Sequence, residues 1–166
     1  MSMESTIVRF ELGGREVEVM VKPMTTLQSA LRDNLGYTAT KEGCRQGGCG
    51  SCTVLVDGEP MMSCLLPVED VAGKKVTTVE SITPTEGLHP IQRAFIDDYA
   101  FQCGYCTPGM VMISKALLDH DPAPSGDAIR QVLTGNVCRC TGYQPIVQAI
   151  GNAAVAMRGS EGEQAR

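Results

Sequence analysis

The chain has 166 residues, 43% of them hydrophobic and 20% charged, a globular composition that excludes a disordered or fibrous protein and leaves room for one domain or two small ones. Lys and Arg total 14 against 19 Asp and Glu, for a net charge of -5; residues 1–82 carry 8 basic and 11 acidic side chains, residues 83–166 carry 6 and 8. Neither half offers the basic surface that phosphate binding needs, and with no Trp, four Tyr and three Phe there is little aromatic surface for bases to stack on.

In chain order, Thr6, Val8, Phe10 and Leu12 alternate with polar or outward positions before Gly13-Gly14, and Val17, Val19 and Val21 alternate after it, which predicts a β-hairpin with a two-residue turn. Pro23 ends the second strand. Leu27, Ala30, Leu31 and Leu35 then recur at helical spacing behind Thr25 or Thr26 as a cap, with Gly36 placed to stop the helix. Residues 41–52 are irregular and glycine-rich. Strands are predicted at Thr53–Val56, closed by Asp57-Gly58, and near Met61–Cys64 and Val76–Val79. A small mixed sheet clasping one helix, a β-grasp arrangement, is the simplest assembly of these pieces.

From Thr83-Pro84 the pattern becomes helical, which places a domain boundary near residues 81–88 and divides the chain into 1–82 and 83–166. Pro90 suits a first helical position before Ile91, Ala94 and Phe95. Thr107-Pro108 reads as a cap and first-turn proline for a helix running to Asp121-Pro122. Ser125 caps a third helix that Gly135 ends, and Pro145 opens a fourth reaching Met157. The polar stretch from Gly159 to Arg166 is expected to fray. The fold class expected is α+β, with a four-helix bundle as the second domain.

Eight cysteines carry the chemistry. The start, Met1-Ser2-Met3-Glu4-Ser5, lacks the basic and apolar regions of a signal peptide, and no run approaches the about 18 apolar residues that span a bilayer. A cytoplasmic protein is therefore expected, in which thiols stay reduced and cysteines point to metal ligation or redox chemistry. Cys44, Cys49, Cys52 and Cys64 have the C-x4-C-x2-C spacing with a distant fourth Cys that plant-type ferredoxins use for a 2Fe-2S cluster. Two ferric irons, two sulfides and four thiolates sum to an anion, and Gly43, Gly47, Gly48 and Gly50 let the loop bring amide N–H groups to the sulfurs. Zinc prefers tighter paired knuckles than this.

Cys103 and Cys106 form C-x2-C, and Cys138 and Cys140 form a distant C-x-C. Spacing alone leaves this second set open between zinc, an iron–sulfur cluster and a redox dithiol. Cys106 and Cys140 each precede a Thr at or near a helix start, where amide dipoles favour thiolate. His89 and His120 stand beside no cysteine and read as helix-end surface residues. Met61, Met62, Met110 and Met112 read as packing, and Tyr105 and Tyr143 as shields for the cysteine sites or interface anchors. Arg139 either offsets local negative charge or faces a partner. No G-x-G-x-x-G follows a strand and no P-loop occurs, so flavin and nucleotide binding are not encoded here.

Three segments, Gly43-Cys44-Arg-Gln-Gly-Gly-Cys49-Gly-Ser-Cys52, Gln102-Cys-Gly-Tyr-Cys-Thr-Pro-Gly and Asn136-Val-Cys-Arg-Cys-Thr-Gly-Tyr143, resemble the small iron–sulfur subunit of the molybdenum hydroxylases, a family that includes xanthine dehydrogenases, aldehyde oxidoreductases and aerobic carbon monoxide dehydrogenases. The resemblance covers roughly residues 5–158. It implies a ferredoxin domain over 1–82 holding one 2Fe-2S cluster on Cys44, Cys49, Cys52 and Cys64, and a helical domain over 83–166 holding a second on Cys103, Cys106, Cys138 and Cys140. It also implies that Gln102 and Cys140 approach a molybdopterin cofactor by hydrogen bonding, whereas Gln102 alone would read as an ordinary helix-end amide. The partners implied are a large molybdenum-cofactor subunit and a medium FAD subunit in a dimer of heterotrimers. The chain would relay electrons between them with no substrate turnover of its own. A free-standing ferredoxin and a two-zinc adaptor are the rival readings, distinguished by copurifying partners and by metal content.

Overall fold

The computed structural model describes residues 4–164, with side chains through Gly159. Residues 1–3, which enter the reading of the N-terminus, and residues 165–166 of the expected frayed tail lie outside the described residues. Strands β1 (Thr6–Leu12) and β2 (Arg15–Val21) form the expected antiparallel hairpin. Alternation buries Val8, Phe10 and Leu12 on β1 and Val19 and Val21 on β2, while the opposed pair Ile7 and Met20 stays exposed on the outer face.

Helix α1 (Leu27–Ser29) starts where Thr26 accepts the Ser29 amide. It then widens into one π-helical turn over Ala30–Asn34, with the Leu35 amide bonded to the Ala30 carbonyl at 3.1 Å. The periodicity predicts a regular α-helix to Gly36. The wider turn instead keeps Leu35 and Tyr37 packed against the core that holds Leu27, Ala30 and Leu31. Strands β3 (Thr53–Val56) and β4 (Glu59–Met62) flank the Asp57-Gly58 turn, whose two residues have φ 52 and 90. This turn sets Val56 opposite Glu59, so the strand predicted at Met61–Cys64 begins two residues earlier and leaves Cys64 beyond its end. Strand β5 (Lys75–Thr77) closes the sheet in the order β2-β1-β5-β3-β4, with β1 and β5 parallel and the other pairs antiparallel.

The second half is helical: α2 (Pro90–Asp97), α3 (Thr107–His120), α4 (Gly126–Leu133) and α5 (Gln144–Gln164) share a core built on Ile91, Phe95, Met110, Ile129, Ile146 and Ile150. The whole chain is thus an α+β fold. Ser125 caps α4 as expected. Cys106, not Thr107, is the N-cap of α3; Thr107 enters the first turn, and its hydroxyl is buried without a partner. Helix α4 ends at Leu133 with Thr134 as its cap, before Gly135 is reached. Helix α5 continues to Gln164, so residues 159–164, expected to fray, are helical. Among the described residues no helix is long and apolar enough to cross a membrane.

All four residues of β3 are buried. Val54 and Val56 face the first core; Thr53 and Leu55 face the other way, where α3 packs on β3 and β4. At the start of α3, a Cβ added to Gly109 would strike the Gly50 carbonyl and press on Ser51 and Asn136. Gly109→Ala should therefore cost about 1–3 kcal/mol of stability by overpacking. Gly151→Ala on α5, where nothing lies within 4 Å, should stabilise by about 1 kcal/mol; denaturant unfolding of the two variants checks both signs.

His89 caps α2, its Nδ1 accepting the Ile91 amide at 3.3 Å while Gln92 accepts the His89 amide at 3.0 Å. Burial, helped by the Lys115 charge and opposed by Asp119, holds the imidazole below its ordinary 6.5. The unfolded chain then binds the extra proton first, so this contribution is complete above 6.5 and is lost as pH falls from 6.5 through the lowered value. His89→Asn, which can cap but cannot titrate, should remove this component from the pH dependence of unfolding.

Candidate metal centres

In the loop from Cys44 to Cys52 the backbone enters the left-handed region at Arg45 (φ 55), Gly47 (φ 75) and Gly50 (φ 69), which turns successive amides inward as an anion-binding concavity. The Gln46 amide first, then the Cys49 thiol, and after them the Gly48 and Cys49 amides bring the Cys44 thiol down to about 7, against desolvation that opposes them. A Cβ on Gly43 would lie 2.7 Å from Cys49 Sγ, and one on Gly47 would enter the Leu65 side chain. The positive φ favours glycine at Gly47, and at Gly43 a methyl would press on the Cys49 sulfur.

Cys52 precedes β3 and Cys64 follows β4, and both are buried. Burial first, and then its neighbour Cys64, push the Cys52 thiol up to about 11; the Cys64 amide and the Ser63 hydroxyl pull the other way. Gln28, itself 3% exposed, ties the supports of this centre together: its side chain donates to the Lys41 carbonyl at 2.8 Å and its amide to the Ser63 carbonyl at 3.1 Å. Sequence reading passes over Gln28, because a polar residue beside a helical leucine carries no signal of its own.

The second set of thiols lies in two inter-helical turns. Cys103 and Cys140 are exposed, their sulfurs 3.5 Å apart, and the shared hydrogen bond with Cys103 raises the Cys140 thiol. Cys106 meets Cys138; burial first, then Cys138 and Cys103, push the Cys106 thiol up to about 12. Burial also pushes Cys138 up, but the Thr141 hydroxyl at 3.1 Å and the Thr141 and Cys140 amides outweigh it, and the thiol is lowered overall. The expected helix-start depression at Cys106 and Cys140 is therefore absent: burial at one and a neighbouring thiol at the other exceed the amide dipoles. In the sequence Thr141 is only part of a motif, and its role shows once the turn folds it back on Cys138.

The eight free cysteines thus stand in four pairs, 44 with 49, 52 with 64, 103 with 140 and 106 with 138. Among the described residues no three Cys, His, Asp or Glu side chains gather as a single metal ion would require. Four thiols used two per iron suit a 2Fe-2S cluster, and the glycine cradle and inward amides suit its negative charge. Gln102 is exposed beside Cys103, and Arg139 is exposed between its two cysteines. His89 is half-buried and His120 ends α3. Met110 and Met112 are core residues, whereas Met61 is 40% exposed.

The two sets of loops touch. The Val137 amide donates to the Cys49 carbonyl at 2.9 Å, the Asn136 side chain donates to the Gly50 carbonyl at 3.0 Å, and the Tyr105 hydroxyl donates to the Glu42 carbonyl at 2.7 Å. Gly50, whose added Cβ would lie 2.5 Å from both Asn136 Cγ and the Gly135 oxygen, lets them meet.

A sheet domain and a helical domain, each presenting four cysteines, define a two-centre iron–sulfur protein. Residues 10–78 match the family model described as a 2Fe-2S iron-sulfur cluster binding domain, and residues 78–151 the one described as a [2Fe-2S] binding domain. One of the subunits of nicotinate dehydrogenase from Pseudomonas putida is 43% identical, over 92% of this chain and 98% of its own length. Aldehyde oxidoreductase of Megalodesulfovibrio gigas is 39% identical over 92% of this chain, but the match spans only 17% of that longer protein. The crystal structure of quinoline 2-oxidoreductase from Pseudomonas putida 86 superposes with a TM-score of 0.91 at 42% identity, covering 95% of this chain and 99% of that one. The chain belongs to the small iron–sulfur subunits of the molybdenum hydroxylase family, electron-transfer components of oxidoreductases.

Because Gly43 leaves no space for a methyl beside Cys49, Gly43→Ala should weaken cluster retention in the 10–78 domain by about tenfold to a hundredfold, as disturbed outer-sphere contacts do. Selective loss of one 2Fe-2S EPR signal during chelator challenge, with the other retained, is the expected reading.

Proposed function

We propose that the chain relays electrons between a molybdopterin cofactor in a large subunit and FAD in a medium subunit, through one 2Fe-2S cluster in each half. Cys44, Cys49, Cys52 and Cys64 would hold the FAD-side cluster, and Cys103, Cys106, Cys138 and Cys140 the molybdenum-side cluster. When bound, each cluster supplies a one-electron acceptor and donor. The halves divide as 1–82, a β-grasp ferredoxin-like domain, and 83–166, a four-helix bundle. The observation that carries the reading is the 2.9 Å hydrogen bond from Val137, next to Cys138, to the carbonyl of Cys49. It joins the two sets of cysteines by one backbone contact, which a relay needs and two independent structural metal sites do not.

The roles of this chain's residues follow from their surroundings. The amides of Gln46, Gly48 and Cys49 offset negative charge around Cys44, and Cys52 and Cys64 are shielded from water. On the other side, exposure of Cys103, Cys140 and Gln102 along one edge supports an approach of Gln102 and Cys140 to the pterin, with the amide of Gln102 free to hydrogen-bond outward. The reaction itself is assigned to the partner subunits, and no turnover is expected from this chain alone. A cytoplasmic dimer of heterotrimers is the assembly proposed.

Metal analysis and EPR of the natively purified assembly test this reading. Iron sufficient for two clusters per chain, two distinct 2Fe-2S signals on dithionite reduction, and molybdenum and flavin in the same complex are expected. Stoichiometric zinc without iron, or a chain that purifies without large partners, would overturn it.

A further inference from the structure

Two of the three hydrogen bonds described between the cysteine loops come from one segment, Asn136 to Cys138, and one side chain holds that segment from both ends. The Tyr143 phenol donates to the Asn136 carbonyl at 3.0 Å and accepts the Cys138 amide at 3.0 Å. All three amides of the segment are committed: Asn136 to the Leu133 carbonyl at 3.0 Å, Val137 to the Cys49 carbonyl at 2.9 Å, and Cys138 to Tyr143. The Asn136 side chain, 3% exposed, adds its bond to the Gly50 carbonyl. The Val137 side chain is 51% exposed, so it is the position of the backbone, and not the packing of that side chain, that the surroundings define.

Tyr143 reaches this place by an unusual backbone. Its φ is 69, in the region a bulky residue rarely adopts, and its amide is held by the Thr141 hydroxyl at 3.2 Å. Its ring packs on the helical core, beside Leu133 and Val147. Strain of this kind persists where the surroundings over-determine it. Here it turns the phenol back over the Cys138 amide.

We propose that Tyr143 is a positioning residue for electron transfer between the two clusters, its hydroxyl fixing the Val137 peptide on the Cys49 carbonyl. The inference rests on the relay reading above, in which both sets of cysteines hold a cluster. In the step served, one electron leaves one cluster, which is oxidised, and arrives at the other, which is reduced. No bond forms or breaks and no proton moves, and the phenol itself is neither oxidised nor deprotonated. Its contribution is to hold short the one backbone hydrogen bond that links a residue adjoining Cys138 to Cys49.

Tyr143→Phe in the full-length chain carrying both clusters removes the hydroxyl and keeps the ring. After partial photoreduction, redistribution of the electron between the two EPR signals should slow by about tenfold or more, the usual scale for loss of an outer-sphere contact. The Val137 and Cys138 amides should exchange hydrogen faster, while Ala149 and Ile150 in α5 keep the unaltered chain's protection, a pattern that general loosening of the helical half would not give. Tyr37→Phe removes a phenol that packs on the core of the sheet half, outside both cysteine loops, and should leave the rate unchanged. An unslowed Tyr143→Phe chain, equal slowing by Tyr37→Phe, or loss of the second cluster from Tyr143→Phe overturns the inference. A single 2Fe-2S signal from the unaltered chain is a different result, which overturns the relay reading on which it stands.

Discussion

Two loops, each bearing cysteines, meet at a point where neither can spare an atom. The carbonyl of Gly50 accepts the Thr53 amide at 3.0 Å, the Thr53 hydroxyl at 2.7 Å and the Asn136 side chain at 3.0 Å, and Gly109 lies against it with no space for a methyl. The first two bonds set the exit of the loop into β3; the third fastens it to the turn before Cys138. The same oxygen thus fixes where the sheet domain begins β3 and where the helical domain sits on it. Buried hydrogen bonds of this kind contribute only about 1 kcal/mol each, but orphaning the shared acceptor would cost more, which makes the meeting point rigid out of proportion to its size.

The second organising feature is the uneven treatment of the thiols. In the first set, Cys44 lies among amides and is lowered to about 7, while burial lifts Cys52 to about 11. In the second, the Thr141 hydroxyl and neighbouring amides lower Cys138 while burial and adjacent thiols lift Cys106 to about 12. Each set therefore has one sulfur whose negative charge is welcomed and one held in a low-dielectric wall. An anionic cluster needs both, donors to offset its charge and a dry side to keep water away.

Much of this was legible in the sequence. Alternation marked β1 and β2, the Asp57-Gly58 turn marked β3, and capping residues such as Ser125 marked helix starts, because these signals act within a few residues. The cysteine spacing points to a first centre for the same reason: Cys44, Cys49 and Cys52 lie in one loop. The second centre is open between metals on spacing alone, since its cysteines come from turns more than thirty residues apart and only the packing of α4 against both α3 and α5 brings those turns together. What could not be read was anything set by tertiary surroundings. The π turn at Ala30–Asn34 answers to the core under Leu35 and Tyr37. Cys106, whose thiol meets Cys138 across the gap between turns, stands at the cap of α3 in place of Thr107. Gln28 and Asn136 each work across a gap in sequence, to Lys41 and to Gly50, that local pattern does not span.

Strand β3 has no face of its own in water: Val54 and Val56 belong to the core beneath the sheet, and Thr53 and Leu55 are covered by α3. A cut between the halves would strip that cover from β3 and leave apolar surface exposed where aggregation starts. The pair is therefore heritable only as a block. That is how it occurs among its relatives: nearly the whole of a separate polypeptide in one enzyme, and 17% of a longer one in another, with 92% of this chain matched each time. Gene fusion or fission at the outer ends costs such a block nothing, whereas recombination through its middle would have to rebuild both partners at once.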